Sequence, residues 1–148
     1  MSVHRARVEW RRATPDFAYE TYDRTHTIAL EGGQTLQGSA TPEYKGDAAL
    51  ANPEELLAAS LASCHMLTFL AVAAKSRLVV DAYEDPAEAT LGKNAAGKLA
   101  VVKIVLRPKV TFAGEPPAPE RLRALHEKAH ASCMIASSIS CEVVLEPA

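Results

Sequence analysis

The sequence predicts an α+β fold, with an antiparallel sheet and two main helices of which the central one is buried. Strand patterns occupy the first forty residues, a long apolar segment covers residues 56–74, and strands, a second helical pattern and a last strand follow. The chain has 148 residues, 48% of them hydrophobic and 23% charged, as in an ordinary soluble domain. We therefore expect one domain over residues 1–148.

Strands are expected in the first third of the chain. Between residues 4 and 11, arginine or glutamate alternates with His4, Ala6, Val8 and Trp10, which is the period of a strand with one buried face. A second strand is predicted over residues 19–30. A glycine pair then forms a hairpin turn into a third strand, and a surface loop leads to the central helix.

The start of the central helix is marked residue by residue. Asn52 is a good N-cap, Pro53 suits the first helical position, and Glu55 stands three residues after the cap, where its carboxylate can reach back. The helix is expected to end at Lys75. Its apolar residues leave no continuous polar face, which is typical of a helix covered on all sides.

The second half predicts strands around one more helix. Residues 78–91 have an interrupted strand pattern, and residues 99–112 have the clearest one, with Pro108 indicating a bulge or an edge. An amphipathic helix is expected over residues 119–131, and a last strand over residues 139–145.

Charge and composition argue against several function classes. The net charge is −2 with no basic run, which argues against a nucleic-acid surface. The charged amino end does not resemble a signal peptide, and polar residues interrupt the longest apolar run, which argues against a membrane span. Three cysteines without an export signal indicate a reducing compartment, so we expect a cytoplasmic protein.

Two cysteines are candidates for chemistry. Cys64 lies in the middle of the apolar helix and Cys133 follows the second helix, and small residues flank both. Either they are reactive thiols or they fill the core as small hydrophobes. Cys141 takes its turn in the alternating last strand, so we interpret it as structural.

A zinc site is the competing possibility. His126-Glu127-x-x-His130 matches the pattern in which two histidines one helical turn apart bind zinc. The third ligand would have to be Glu142 or Glu146, and basic neighbours indicate that the histidines lie on the solvated or partly packed surface of the helix. A zinc hydrolase and a non-catalytic binder of small apolar ligands therefore remain the alternatives.

Three segments carry a resemblance to a known family: Asn52-Pro53-Glu54-Glu55-Leu56-Leu57-Ala58-Ala59, Ala62-Ser63-Cys64 and Ala129-His130-Ala131-Ser132-Cys133. They resemble the osmotically inducible protein C (OsmC) family of peroxidases and the related organic hydroperoxide resistance proteins. One departure follows the last segment, where Met134-Ile135 replaces the proline-containing sequence common in the family. This departure concerns pocket shape and substrate preference.

The resemblance implies an intertwined homodimer that reduces organic hydroperoxides with two cysteines, an arginine and a glutamate. Carried over by position, Cys64 is the peroxidatic cysteine, Cys133 the resolving cysteine that forms a disulfide with it, and Glu54 the acidic partner. Arg24, expected at the start of the second strand, is the best match for the arginine. The reductant would be an external dithiol, either a lipoylated or a thioredoxin-like protein, and neither a cofactor nor a metal is expected.

Physical chemistry suits these roles. Cys64 lies about 15 Å from the start of its helix at ~1.5 Å per residue, too far for the helix dipole to stabilise a thiolate. A fixed cation such as Arg24 is needed, held by a carboxylate. Glu54 is too far along the same helix, but two antiparallel copies crossing near residue 59 would bring it beside Cys64 of the other chain. Otherwise Glu54 is a solvated first-turn acid.

Overall fold

The computed structural model describes all 148 residues, and it has the predicted α+β class with two main helices. The chain divides into two compact units, Met1–Leu56 and Leu57–Ala148, which are described separately below. In chain order the elements are β1 (Ala6–Glu9), β2 (His26–Leu30), β3 (Thr35–Gly38), α1 (Pro53–Lys75), β4 (Val80–Glu84), β5 (Glu88–Lys93), β6 (Leu99–Leu106), β7 (Lys109–Phe112), α2 (Pro119–Ala131) and β8 (Glu142–Leu145).

The first unit contains a three-stranded antiparallel meander in the order β1-β2-β3. Gly33 has a φ of 89°, the conformation that the predicted hairpin turn requires and that glycine adopts without strain. The prediction of a strand from residue 19 was wrong, because β2 begins only at His26. The N–H groups of Thr21 and Tyr22 both donate to the carbonyl of Ala18, so a local turn replaces the first half of that strand.

Strand β1 differs from its prediction in burial. Its alternating pattern predicted one buried face, yet all four residues are exposed, and Val8 retains 64% of its accessible surface. The apolar face of β1 therefore has no cover within the first unit.

The second unit holds two further sheets. Strands β4 and β7 pair antiparallel, and the other sheet has the order β5-β6-β8. The strands predicted over residues 78–91 and 99–112 are each divided, and their halves belong to different sheets. Pro108 separates β6 from β7 because it has no N–H to donate to a ladder. Strand β8 begins at Glu142, later than predicted, and pairs parallel to β6, a pairing that the sequence pattern did not indicate.

Helix α1 begins and ends where the sequence predicts. The side-chain oxygen of Asn52 accepts the N–H of Glu55 at 2.9 Å, and the Glu55 carboxylate accepts the N–H of Asn52 at 3.2 Å, which is the expected reciprocal cap. By length and composition this helix is apolar enough to cross a membrane, as many core helices of soluble proteins are, so this is weak evidence for a span.

The prediction that α1 is covered on all sides was wrong for the single chain. The residues that it buries lie on one side of the helix: Ala58, Leu61, His65, Phe69, Val72 and Ala73. A stripe on another side is exposed and consists mainly of small residues: Ala59, Ser60, Ser63, Leu67, Ala71 and Ala74.

Two hydrophobic clusters flank α1 in the second unit. One joins the middle of the helix to β6 and Cys133, with Leu61, Ile104 and Leu106 fully buried. The other joins the end of the helix to α2 and includes Phe69. The first cluster contains both candidate cysteines.

Candidate active site

The two candidate cysteines, Cys64 and Cys133, pack in the same core cluster of the second unit. Cys64 lies in the middle of α1 and is half-buried, while Cys133 follows the end of α2 and is fully buried. Leu61 and Ile104 are among the buried residues of this cluster. All cysteines are in the free thiol form.

The surroundings of Cys64 favour its thiolate. Burial raises the pKa of the Cys64 thiol. The side chain of Cys133 and the backbone N–H groups of Ile135 and Met134 lower the pKa by more than burial raises it, so the pKa of Cys64 lies below its ordinary value. Each of these donors stabilises a negative sulfur. The largest favourable contribution comes from Cys133.

Cys133 has the opposite balance. Burial and the neighbouring Cys64 sulfur raise the pKa of the Cys133 thiol, although the N–H of Ala136 donates to its Sγ atom at 3.4 Å. Of the two thiols, Cys64 is therefore the one that loses its proton more readily, and the thiolate is the reactive form of cysteine.

Arg24 lies in the loop before β2, so its predicted place at the start of the second strand was wrong. Its guanidinium donates to the carbonyl oxygens of Tyr22 and Tyr19, each at 2.7 Å. The charge also lies over two aromatic rings, 3.9 Å from the centre of Tyr22 and 5.1 Å from that of Tyr19. The loop fixes the guanidinium through these contacts, and no carboxylate is bonded to it.

Arg24 and Glu54 line the same cavity of the first unit. The cavity has a volume of about 450 Å³, and its walls are mainly apolar and aromatic, with Trp10, Phe17 and Tyr22 among them. No ion pair joins Arg24 to Glu54 within the chain. Each unit thus holds one candidate feature: the first a cavity with one cation and one carboxylate, and the second a cysteine pair.

One histidine of α2 is not where the sequence predicted, whereas His130 is half-buried, in line with a partly packed surface. His126 is buried, not on the helix surface, and its ring stacks on Phe69 with 4.2 Å between ring centres. Its Nδ1 atom lies 3.1 Å from Nε2 of His65, a residue that the zinc pattern does not include. The predicted third ligand Glu146 instead forms an ion pair with Arg107 at 2.9 Å.

These side chains do not form a metal centre. Glu127, the would-be catalytic base of the pattern, is exposed, and no group of three histidine, cysteine, aspartate or glutamate side chains is arranged to hold a metal ion. The zinc hydrolase is therefore without support from the geometry.

Sequence reasoning missed the backbone donor to Cys133, which is the N–H of Ala136. Backbone amides carry no residue-specific signal, so the sequence offered no clue to this contact.

Comparison with known proteins decides the family. The model of the family described as OsmC-like protein matches residues 46–147. The structure of an OsmC-like protein of unknown function from Vibrio cholerae is 42% identical to this chain, covers 100% of both chains, and has a TM-score of 0.94. The chain belongs to the OsmC-like family. The resemblance predicted from the sequence is thereby confirmed.

Two organic hydroperoxide resistance proteins have the same fold at lower identity. The protein from Legionella pneumophila is 19% identical, with a TM-score of 0.74 over 99% of this chain and 96% of that one. OhrB of Bacillus subtilis is 20% identical, with a TM-score of 0.72 over 99% of this chain and 98% of that one. A search of the curated proteins finds no match.

The family match covers three of the four candidate residues. Glu54, Cys64 and Cys133 lie within the matched span 46–147, whereas Arg24 lies before it. The role of Arg24 consequently depends on its charge, its fixed position and its cavity.

Proposed function

We propose that this chain is a thiol-dependent peroxidase that reduces organic hydroperoxides to alcohols. The observation that carries the proposal is the cysteine pair in one core cluster, where the pKa of Cys64 is lowered and that of Cys133 is raised. Family membership supports a redox role of this kind. Two structural relatives are named for organic hydroperoxide resistance, which gives the substrate class.

The reaction begins with attack of the Cys64 thiolate on one peroxide oxygen. An S–O bond forms, the O–O bond breaks, and the alkoxide leaves and takes up a proton, so that the products are an alcohol and a sulfenic acid on Cys64. The Cys133 sulfur then attacks the sulfenic sulfur. A disulfide forms, and the hydroxyl leaves with a proton as water.

An external dithiol, from a lipoylated or a thioredoxin-like protein, completes the cycle. Its two thiols reduce the Cys64–Cys133 disulfide and are themselves oxidised to a disulfide. No cofactor is required for this sequence of steps. Because the cycle depends on free thiols, we propose that the protein acts in the cytoplasm.

Arg24 and Glu54 are proposed to hold the peroxide and the developing charge. The guanidinium of Arg24 carries a permanent charge and several N–H donors, which suit two adjacent oxygens. The apolar and aromatic walls of its cavity suit an alkyl or aryl group better than hydrogen peroxide. Within one chain no ion pair joins Arg24 to Glu54, which fits a carboxylate that acts on another copy.

We propose that the working form is a homodimer in which α1 of one copy packs against α1 of the other. The exposed stripe of α1 supports this, because small residues such as Ala59 and Ser63 let two helices approach closely. Leu67, which is 61% exposed, would be covered by the same contact. Ala58, by contrast, is buried within its own unit and takes no part.

The test is peroxide consumption by the reduced protein with a dithiol present. Cys141→Ser is the matched control for Cys64→Ser, since both replace a half-buried thiol in the second unit. We expect tert-butyl hydroperoxide to be consumed faster than hydrogen peroxide by the wild type and by Cys141→Ser, and not at all by Cys64→Ser. Equal rates in Cys64→Ser and the wild type would refute the proposal, and binding without consumption would favour a ligand carrier.

A further inference from the structure

The side chains of α1 and α2 are joined by one hydrogen bond, which lies between two buried histidines. Nε2 of His65 on α1 is 3.1 Å from Nδ1 of His126 on α2. A neutral imidazole has one N–H and one acceptor nitrogen, so one ring donates to the other. No other hydrogen bond and no ion pair connects the two helices. The polar link between α1 and α2 therefore depends on this pair alone.

The ring of His126 also packs against two residues of α1 that are one helical turn apart. Its centre lies 5.4 Å from the ring centre of His65, with 9° between the ring planes, and 4.2 Å from that of Phe69. The apolar contacts of the same helices, in the cluster of Phe69 and Leu125, are not directional. A hydrogen bond weakens steeply when its atoms move out of line. The histidine pair therefore fixes how far α2 is shifted along α1.

Each helix of the pair carries one candidate cysteine close to its histidine. Cys64 directly precedes His65 on α1. Cys133 lies about two helical turns after His126. Its N–H donates to the carbonyl of His130 at 3.1 Å, which ties it to the last turn of α2. A disulfide forms only over a narrow range, about 4.4–6.8 Å between Cα atoms, so the register of the two helices decides whether these sulfurs can be joined.

We propose that His65 and His126 form a histidine clamp that holds Cys64 and Cys133 in the register in which their disulfide closes. Both histidines are then positioning residues for the resolving step. This inference rests on the proposed peroxidase function. Attack on the peroxide needs only the sulfur of Cys64, whereas disulfide formation needs both sulfurs at bonding distance. The clamp therefore acts on the second step and not on the first.

The clamp is tested by replacing His65 with two side chains of similar length. Glutamine can place an amide group where Nε2 of His65 lies, whereas methionine has no hydrogen-bond donor and leaves Nδ1 of His126 without a strong partner. His130→Met is the matched control, because His130 lies in the same group of rings but its Nδ1 atom has no hydrogen-bond partner. All proteins also carry Cys141→Ser, so that only Cys64 and Cys133 can pair within a chain.

The readout is the equilibrium between the reduced protein and glutathione at pH 7. The two protein thiols lose two electrons and two protons and form a disulfide, while oxidised glutathione is reduced to two thiols. Alkylation and mass spectrometry give the equilibrium constant, which is the effective concentration of one cysteine relative to the other. We expect His65→Met to lower this effective concentration about tenfold, as for the loss of one buried hydrogen bond. His65→Gln and His130→Met should both stay within about threefold of the wild type.

A second variant keeps the inference testable if His65→Met does not fold, as judged by circular dichroism. His126→Phe keeps a ring against Phe69 and removes Nδ1, so the same loss of effective concentration is expected. An unchanged effective concentration in a folded His65→Met or His126→Phe protein overturns the clamp. Equal losses in His65→Met and His65→Gln also overturn it, because the volume of the ring and not its hydrogen bond would then be what matters.

The result does not depend on turnover. If the wild type consumes no peroxide while His65→Met still lowers the effective concentration, the peroxidase proposal fails and the histidines still position the cysteine pair. If peroxide is consumed and the effective concentration does not change, the clamp lacks this role and the peroxidase proposal stands. A wild type that forms no Cys64–Cys133 disulfide with glutathione also overturns the clamp.

Discussion

Nε2 of His65 lies 3.1 Å from Nδ1 of His126, and the outer nitrogen of each ring has no hydrogen-bond partner. Both side chains are buried, with 0% and 1% of their surface exposed. Burial lowers the pKa of His65 to about 4, helped by the nearby charges of His126 and His130, and burial lowers the pKa of His126 to about 4 as well. The pair is therefore neutral at pH 7.

Acid should destabilise the fold through this pair. An unfolded histidine binds its proton with a pKa near 6.5, so between pH 6.5 and about 4 the unfolded chain holds more protons than the folded one. The free energy of unfolding therefore falls as the pH drops through this window, by at most about 3 kcal/mol for His65. Urea denaturation at a series of pH values measures this free energy.

The exposed His4 supplies the control for this pH dependence. His4→Gln should reproduce the wild-type profile, because His4 is exposed near the amino end and does not belong to the buried pair. The double variant His65→Phe, His126→Phe should lose less stability than the wild type as the pH falls below 6.5. A wild-type profile that is already flat there would contradict the prediction.

The three cysteines should separate by function. Cys64→Ser is expected to abolish turnover, because it removes the nucleophile. Cys133→Ser should permit one oxidation to the sulfenic acid and then stop, which a dimedone adduct on Cys64 would reveal. Cys141→Ser should change the rate less than twofold, as expected for a position outside the redox pair, and a Cys64–Cys141 disulfide after one equivalent of peroxide would overturn the assignment of Cys133.

A shared active site predicts complementation between two inactive variants. Glu54→Ala should lack the carboxylate and Cys64→Ser the nucleophile, but a mixed dimer would have one site with both groups intact. Unfolding and refolding the two together should restore up to about a quarter of wild-type activity, because half of the dimers are then mixed and each has one intact site. A mixture that remains inactive would rule out Glu54 acting on the other copy.

The cap of α1 should be worth a measurable part of the stability. Asn52→Ala loses the side-chain oxygen that accepts the N–H of Glu55, so we expect a loss of about 1 kcal/mol in the free energy of unfolding. Asn52→Asp keeps an acceptor in the same place and serves as the control. If urea denaturation gives the same free energy of unfolding for both variants, the side-chain acceptor at position 52 does not stabilise the helix.

The sequence predicted those elements whose ends are set locally. Both helices have their predicted limits, because Asn52 caps α1 and Pro119 begins α2. The sheet partners of the strands could not be predicted, since pairing depends on distant segments. Nothing near Val143, for example, indicates that β8 runs parallel to β6.

For the candidate site, the sequence supplied residues but not their surroundings. The nearness of Cys64 and Cys133 came from the family resemblance, because the two lie on different elements. The environment of Arg24 was missed because its partners are carbonyl oxygens of its own loop. His126 was predicted to lie on the surface of α2 because its neighbours are basic, whereas its ring packs inward against Phe69.

The turn after α2 has a consequence for how this protein tolerates mutation. Its hydrogen bond to the sulfur of Cys133 comes from the main-chain N–H of Ala136, so the identity of the neighbouring side chains does not decide whether that bond forms. The surroundings of the Cys133 thiol are thereby insulated from most substitutions in the turn. The exposed side chain of Met134 is free to diverge and to change which molecules the protein meets, whereas proline at position 136 would remove the donor itself.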